Sequence, residues 1–422
     1  MTGLVIALLW FPLLGAAFSR LAGRTSWFLA GAGANALALF VAGVLHIPLK
    51  PVIAVLGLSA IAVMAMTPSS GARVPRASEV RSALPLWITA FVLLIGAVIT
   101  PLNDYDGRAF WMLKAKAIAH EQRIDGPFFQ LQSTHSPRNQ YPLLAPLDAA
   151  TVMMFARDGD DRHARALFAM FAIALAFEVR RRFAEWFSPS TAVWLATLLL
   201  WIPQIETAGG GARSAGADVP LAAFVGCAFF ELIEARAPLR LGLWLACLVL
   251  TKNEGVPFAL VFLAAGVFVF RRRIIAAAIP LAIAIAAQFA WRARIAPTDE
   301  QDFLGQLPGL PQHIGRIGEV LREFLPRFGF LWIAVAVAIA VLVVKRAWRP
   351  LVFGLVAILP MLTLYTLAYV VTDWTIAELV RVTATRLLSH FVAPALFLIA
   401  AALHVTQSKR WGEISEPSPA RS

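Results

Sequence analysis

Runs of about 20 apolar residues recur along almost the whole chain and constrain its fold more than any other feature. A helix of that length crosses the hydrocarbon core of a lipid bilayer. Charged residues make up only 15% of the 422 residues, whereas soluble domains carry about 25%. The runs are continuous and do not alternate in the way that the strands of a membrane barrel require. The sequence therefore predicts an all-α, polytopic transmembrane helical bundle.

The apolar runs predict roughly eleven to thirteen transmembrane helices. They lie near 3–19, 27–48, 50–67, 84–101, 164–179, 190–205, 218–234, 239–252, 255–270, 274–291, 328–344, 350–371 and 386–405. Alternating these spans places the basic clusters, such as Arg180–Arg182 and Arg271–Arg273, on one side, which the positive-inside rule assigns to the cytoplasm. Lys50 and Lys252 fall on the other side. The formal charge of +12 thus follows membrane topology, and no nucleic-acid partner is expected.

The chain is expected to form one membrane domain over 84–408, preceded by N-terminal spans in 1–83 and followed by a cytoplasmic tail at 409–422. The segment 102–162 is its longest polar interruption. Alternation of the spans places this segment outside the cytoplasm, as a loop that carries amphipathic helices. A bacterial inner membrane with the active site on the extracytoplasmic side is the expected location.

Two carboxylates, Asp104 and Asp106, open this loop directly after an apolar span, and Arg108, Lys114 and Lys116 follow them. A carboxylate can act as a general base toward a hydroxyl group. Nearby cations can hold a phosphate or stabilise it as a leaving group. The alternative is a solvated turn that caps a surface helix, with Asp106 near the positive helix N-terminus.

The same loop continues with His135, Arg138 and Tyr141 before the chain returns toward the membrane. These side chains add hydrogen-bonding groups that an ordinary re-entry turn does not require. We expect them to contribute to a substrate-binding site.

Three further polar clusters face the same side and contain Asp218, the pair Lys252 and Glu254, and the pair Arg386 and His390. Charges at membrane depth are costly and favour a functional role. Each cluster also has a structural explanation. Asp218 could cap a helix, Lys252 and Glu254 could neutralise each other, and Arg386 could extend toward lipid headgroups. Arg386 and His390 are four residues apart and are predicted to share one helix face.

Taken together, these motifs resemble the GT-C superfamily of polyprenyl-phosphate-dependent glycosyltransferases, especially bacterial relatives of protein O-mannosyltransferases and the lipid A aminoarabinose transferase. The resemblance comprises Asp106 with Trp111 and the Lys-Ala-Lys-Ala at 114–117, Tyr-Pro-Leu-Leu-Ala-Pro at 141–146, Ala-Asp-Val-Pro-Leu-Ala at 217–222, Lys-Asn-Glu-Gly at 252–255, and the stretch 386–394. It covers most of the chain from about residue 100 onward and leaves out the first three spans.

The resemblance implies a catalytic carboxylate in the first long extracytoplasmic loop, which the motif places at Asp106 with Asp104 as the competitor. It also implies a polyprenyl-phosphate-linked sugar donor and inversion at the anomeric carbon. The acceptor would be a glycan, a lipid or a protein. The Asp-Glu pair of some branches is replaced here by Asp-Tyr-Asp at 104–106, which leaves open the choice of aspartate and the involvement of a divalent metal. No cofactor is predicted.

Other classes of membrane protein make different demands on the sequence. A transporter or flippase would place charged residues within its spans, whereas the charges here gather at one surface. A scaffold would need no such cluster. A lipid phosphatase would need concentrated Arg, His and Ser residues. An extracytoplasmic glycosyltransferase is therefore favoured, with a transporter or flippase of a lipid-linked saccharide as the alternative.

Overall fold

The chain folds into a helical bundle in its computed structural model, which describes residues 2–23, 25–67, 81–131, 138–156, 161–206, 211–297 and 303–407. All regular secondary structure within these ranges is helical, which confirms the all-α prediction. A helix occurs at each predicted apolar run. The α-helices of eight residues or more are α1 (Thr2–Ala22), α2 (Trp27–Val44), α3 (Leu49–Met66), α4 (Leu84–Ile99), α5 (Leu113–Glu121), α6 (Leu144–Ala156), α7 (Asp161–Trp186), α8 (Pro189–Trp201), α9 (Asp218–Glu234), α10 (Pro238–Thr251), α11 (Gly255–Phe270), α12 (Ile275–Arg292), α13 (Ile317–Phe324), α14 (Gly329–Val344), α15 (Trp348–Val371), α16 (Ile376–Ser389) and α17 (Val392–Gln407).

Several of these helices are long and apolar enough to cross a bilayer. Five helical stretches within the described residues meet this condition, and the bent pair α16–α17 brings the number to six. Their outward faces are apolar, with Phe268 and Phe330 among the most exposed side chains. Such faces are stable in contact with lipid and not with water. The protein is therefore a multi-pass membrane protein, and the larger count of eleven to thirteen spans stays a prediction.

The first two helices cross in close contact because glycine lies at the crossing point of each. A Cβ atom built on Gly15 would lie 1.6 Å from the carbonyl oxygen of Trp27, and one on Gly31 would lie 1.7 Å from that of Phe11. Any larger side chain would force the two backbones apart. Small residues have this role in membrane helices generally, since lipid supplies little force to press helices together.

The pair α9–α10 carries a buried ion pair at each of its ends. Asp218 begins α9 and contacts Lys252, which follows α10, with 2.7 Å between Oδ1 and Nζ. At the opposite end, Glu231 Oε1 lies 2.7 Å from Nε of Arg240. Glu231 follows Asp218 by thirteen positions along α9, which separates the two ends by about 20 Å. The bundle therefore has a buried ion pair at each of these two ends.

The end that contains Glu231 holds a cluster of buried charges. Arg182 of α7 contacts Glu178, Glu231 and Glu234, and Arg240 also donates to the carbonyl oxygen of Ala22 at 2.9 Å. These contacts tie α1, α7, α9 and α10 together. Arg182, from one of the predicted cytoplasmic clusters, thus lies inside the protein and pairs with carboxylates.

The structure corrects the sequence-based expectation at two places. The predicted span 386–405 is broken, because α16 and α17 meet at an angle of 57° around His390 and Phe391. The segment 102–162 also contains α6, which is buried along Leu144–Met153 and is not an amphipathic surface helix.

Helix α6 brings a carboxyl group into the interior of the bundle. Asn35, in the middle of α2, donates from Nδ2 to Asp148 at 2.9 Å and to Thr151 at 3.0 Å, and Nε1 of Trp10 donates to the side-chain oxygen Oδ1 of Asn35 at 3.1 Å. Because α1 and α2 contact α6 in this way, these two N-terminal helices belong to the same bundle.

Candidate active site

Asp218 is the centre of the polar network at the first end of the bundle. Its side chain is only 1% exposed. Besides Lys252, it accepts hydrogen bonds from Nε and Nη2 of Arg386 at 3.0 and 2.9 Å, and Nε2 of His390 lies 3.2 Å from Oδ1. Three predicted site residues from distant parts of the sequence thus converge on one carboxylate. Substrate cannot reach that carboxylate without displacing them.

Asp106 forms the second half of the network. One of its oxygens, Oδ2, accepts from Nη1 of Arg386 at 2.6 Å and from Nη1 of Arg138 at 2.8 Å. Arg386 therefore bridges Asp106 and Asp218. Burial acts to raise the pKa of Asp106, but the two guanidinium groups outweigh burial and hold the pKa below its usual value. Asp106 is thus an ionised carboxylate of low basicity in this arrangement.

Asp104 occupies a different environment only two residues away. Its Oδ2 accepts a hydrogen bond from the N–H of Gly107 at 2.8 Å, at the start of the π-helical segment Gly107–Met112. Single π-helical turns are frequent at functional sites. Burial, together with the negative charge of Asp106, raises the pKa of Asp104 above its usual value despite the hydrogen bond from Gly107. The two aspartates therefore differ in basicity.

Lys252 connects the network to the turn between α10 and α11. Its Nζ lies 3.0 Å from Oε1 of Glu254 in addition to its contact with Asp218. The predicted pairing of Lys252 with Glu254 is therefore present, but it is one part of a larger array. The neighbouring Asn253 accepts from Arg292, whose Nε also donates to the carbonyl oxygen of Gln140 at 3.1 Å.

The loop around Arg138 is held in place by residues of the preceding helical segment, on its buried side. Lys114 is buried and its Nζ donates to the carbonyl oxygen of Arg138. The guanidinium carbon of Arg138 lies 4.9 Å from the ring centre of Phe110, and the ring of Tyr141 lies 5.9 Å from that of Trp111. Arg138 itself remains 34% exposed, so the loop presents this guanidinium at the surface of the site.

The structure brings together most of the residues that the sequence predicted for the site. Direct contacts join Asp106, Arg138, Asp218, Lys252, Glu254, Arg386 and His390. Asp104, Lys114 and Tyr141 lie next to this group.

Arg108 and Lys116 are placed differently. Among the described residues, Arg108 is exposed and makes no ion pair with the network. Lys116 pairs with Asp161 at 2.7 Å. His135 lies outside the described residues, as does the tail 409–422.

Two contributing residues were missed by the sequence analysis. Tyr365 of α15 is buried, and its hydroxyl lies 2.8 Å from Nδ1 of His390. The second is Arg292, at the end of α12. A tyrosine inside one apolar span and an arginine at the end of another were the available signals, but both residue types are also ordinary in membrane proteins.

The charges of the network are balanced. The carboxylates of Asp106, Asp218 and Glu254 face the cations of Arg138, Arg386 and Lys252. His390, with its Nδ1 beside a tyrosine hydroxyl and its Nε2 beside Asp218, needs no charge for these contacts. An anionic ligand that binds Arg138 and Arg386 would therefore compete with the carboxylate of Asp106.

The donor set does not favour a metal site. Within the part of the chain that the structure describes, no group of three or more His, Cys, Asp or Glu side chains is arranged to hold a metal ion. Asp106 and Asp218 instead direct their oxygens at guanidinium and ammonium groups.

Comparison with protein families, with curated proteins and with solved structures finds no match for this chain. The fold and the network define a multi-pass helical membrane protein with a buried, charge-balanced polar site at one end of its bundle.

Proposed function

We propose that this protein is an integral membrane glycosyltransferase, which transfers a sugar from a polyprenyl-phosphate-linked donor to a hydroxyl group of a glycan, lipid or protein at the extracytoplasmic face of a bacterial inner membrane. The observation that carries the proposal is the contact of Asp106 with both Arg138 and Arg386. A base for the acceptor and cations for the donor phosphate thus lie within one hydrogen bond of each other.

The reaction needs a group that accepts the proton of the acceptor hydroxyl and groups that stabilise the negative charge on the leaving phosphate. The residues of the site can supply both. The acceptor oxygen attacks the anomeric carbon and forms the new glycosidic bond, while its proton passes to a carboxylate of the site. The bond between the anomeric carbon and the phosphate oxygen breaks, and its electron pair stays on the phosphate. Guanidinium groups bind phosphate oxygens through charged, directional hydrogen bonds, so Arg138 and Arg386 stabilise the leaving group. Attack opposite the phosphate inverts the anomeric centre.

Asp106 is the proposed base and Asp104 the competing choice. Asp106 lies in direct contact with the phosphate-binding cations, whereas Asp104 has the higher pKa. The two choices make different predictions for single substitutions, because only the true base is required for the proton transfer.

The test is transfer from radiolabelled polyprenyl-phosphate sugars in proteoliposomes that contain the purified protein. A panel of donors and acceptors is compared for wild type, Asp106→Asn and Asp104→Asn. Glu323→Gln removes a carboxylate from α13, outside the network, and is the matched control. We expect transfer by wild type and by the control, and a loss of about 100-fold or more in the variant that lacks the base. Full transfer by both aspartate variants would disprove the mechanism.

A flippase for a lipid-linked saccharide is the second candidate, and the buried pair of Asn35 and Asp148 favours it. A carboxyl group inside a membrane bundle is typical of proteins that move ions or substrates through it. Translocation of a fluorescent polyprenyl-phosphate saccharide, measured by chemical quenching of the outer leaflet, separates the two functions. We expect no translocation above that of protein-free liposomes.

A further inference from the structure

Asp106 presents one carboxylate oxygen to two guanidinium groups, which is the arrangement in which proteins bind a phosphate oxygen. The distances from Oδ2 are 2.6 Å to Arg386 and 2.8 Å to Arg138. Charged hydrogen bonds of this length are strong and directional. The carboxylate therefore fills a position that suits a phosphate oxygen.

The charge of the site supports the same comparison. A phosphate that links a polyprenol to a sugar is a diester and carries one negative charge, as the carboxylate of Asp106 does. Replacement of one by the other gives Arg138 and Arg386 a contact of the same charge.

The contacts of the two arginines allow such an exchange. Arg386 uses Nε and Nη2 for Asp218, so that only Nη1 would change its partner. Arg138 is 34% exposed, whereas Asp218 is 1% exposed. The exchangeable contacts thus lie on the accessible side of the network, and the fixed contacts lie on the buried side.

We propose that Asp106 is an internal substitute for the donor phosphate, which the phosphate displaces from Arg138 and Arg386 when the donor binds. This inference rests on the proposed function. The displaced carboxylate loses both cationic partners and becomes a stronger base beside the bound donor. The base is therefore active only when the donor is present, and it remains neutralised when the site is empty.

The experiment measures the affinity of a methyl polyprenyl phosphate, a diester with one negative charge, for the purified full-length protein in detergent micelles, by native mass spectrometry. We expect Asp106→Asn to bind this probe at least tenfold more tightly than wild type, because the internal competitor has lost its charge. Asp106→Glu retains the charge, and its affinity is expected to stay within about threefold of wild type. Arg386→Gln and Arg138→Gln are expected to bind at least tenfold more weakly.

Two controls make the result decisive. Glu323→Gln removes a carboxylate from α13, outside the network, so its affinity should stay near that of wild type. Thermal unfolding of each variant shows that it is folded. Unchanged or weaker binding by folded Asp106→Asn overturns the inference, and so does an equal tightening by Glu323→Gln. The absence of measurable binding in both wild type and Asp106→Asn overturns it as well.

The inference and the proposed function can fail separately. Tighter binding by Asp106→Asn in a protein that transfers no sugar would retain the phosphate position and reject the glycosyltransferase. Sugar transfer by wild type with unchanged binding by Asp106→Asn would retain the enzyme and reject the exchange.

Discussion

Arg386 donates from Nε and Nη2 to a single oxygen of Asp218, at 3.0 and 2.9 Å, and reserves Nη1 for Asp106. The guanidinium group of Arg386 is thus held by the buried Asp218 along one edge and donates to the more accessible Asp106 from the other edge. The geometry depends on the planar, forked shape of guanidinium, which the compact ammonium group of lysine cannot reproduce.

Arg386→Lys is expected to impair the site although it preserves the charge. A lysine ammonium at this position cannot contact Asp106 and Asp218 in the same way, so the affinity for polyprenyl phosphate should fall at least tenfold. Arg322→Lys, at an exposed position of α13, is the matched control and should have no effect. Wild-type affinity of Arg386→Lys would show that charge alone is sufficient.

The pH dependence of transfer is expected to differ between free and donor-bound enzyme. In the free protein the arginines hold the pKa of Asp106 below its usual value, so kcat/KM should stay constant as pH falls toward the ordinary aspartate range. Displacement by the donor would remove that effect, so the acid limb of kcat should lie at higher pH. Coincident acid limbs in full pH–rate profiles would argue against displacement.

Asp104→Asn is expected to stabilise the protein at neutral pH. The pKa of Asp104 is raised by burial in the folded state, so the folded protein binds this proton more tightly than the unfolded chain does. Stability is therefore lost as pH rises from the ordinary value through the folded pKa. The melting temperature of the variant should exceed that of wild type at pH 7, and the difference should vanish in acid. A constant difference would exclude titration of Asp104 as its cause.

Arg240→Met is expected to destabilise the bundle without weakening phosphate binding. The substitution leaves Glu231 buried with fewer partners, and loss of one member of a buried pair costs about 3–5 kcal/mol. Because Arg182 still contacts Glu231, the lower figure is expected. The double variant Arg240→Met/Glu231→Gln should be less destabilised than the sum of the two single variants in thermal unfolding. Strict additivity would mean that the pair does not interact.

Asp148→Asn is expected to be neutral or slightly stabilising. The amide oxygen can still accept from Nδ2 of Asn35, and the substitution removes an ionisable group from the interior of the bundle. Asn35→Ala, by contrast, should destabilise by about 1–3 kcal/mol, since it leaves buried polar groups without a partner. The melting temperature of Asn35→Ala should therefore fall, whereas that of Asp148→Asn should stay the same or rise slightly. A large loss in Asp148→Asn would indicate that the carboxyl group has another role.

The sequence alone predicted the helical class, and a helix occurs at each apolar run that it predicted, because the length of apolar runs is dictated by the bilayer. It did not predict the apolar helix α6 within the loop 102–162. It also predicted which polar residues share one end of the bundle. Successive spans alternate in direction, so the loops without basic clusters lie together on the side opposite the basic loops. Asp106, Asp218, Lys252 and Arg386 were correctly grouped on this basis.

Pairings within the group were not predictable, because they depend on how the helices pack. The motif at 252–255 suggested that Lys252 and Glu254 neutralise each other, whereas Asp218 is the more buried partner of Lys252. Lys114 was predicted to bind phosphate, but it is buried beneath the loop of Arg138. The helical spacing of 386 and 390 predicted a shared face without showing the break that follows Ser389.

The ion pairs at the two ends of α9–α10 also fix how these helices can slide along each other. Helix α9 supplies the acid at both ends, and the basic partners flank α10 on either side of its apolar stretch. A shift by one turn, about 5.4 Å, would separate both pairs at once. Two buried contacts about 20 Å apart therefore act as a register lock. An insertion or deletion of a single residue in either helix should disturb the spacing of Asp218 and Lys252 even when it lies far from them.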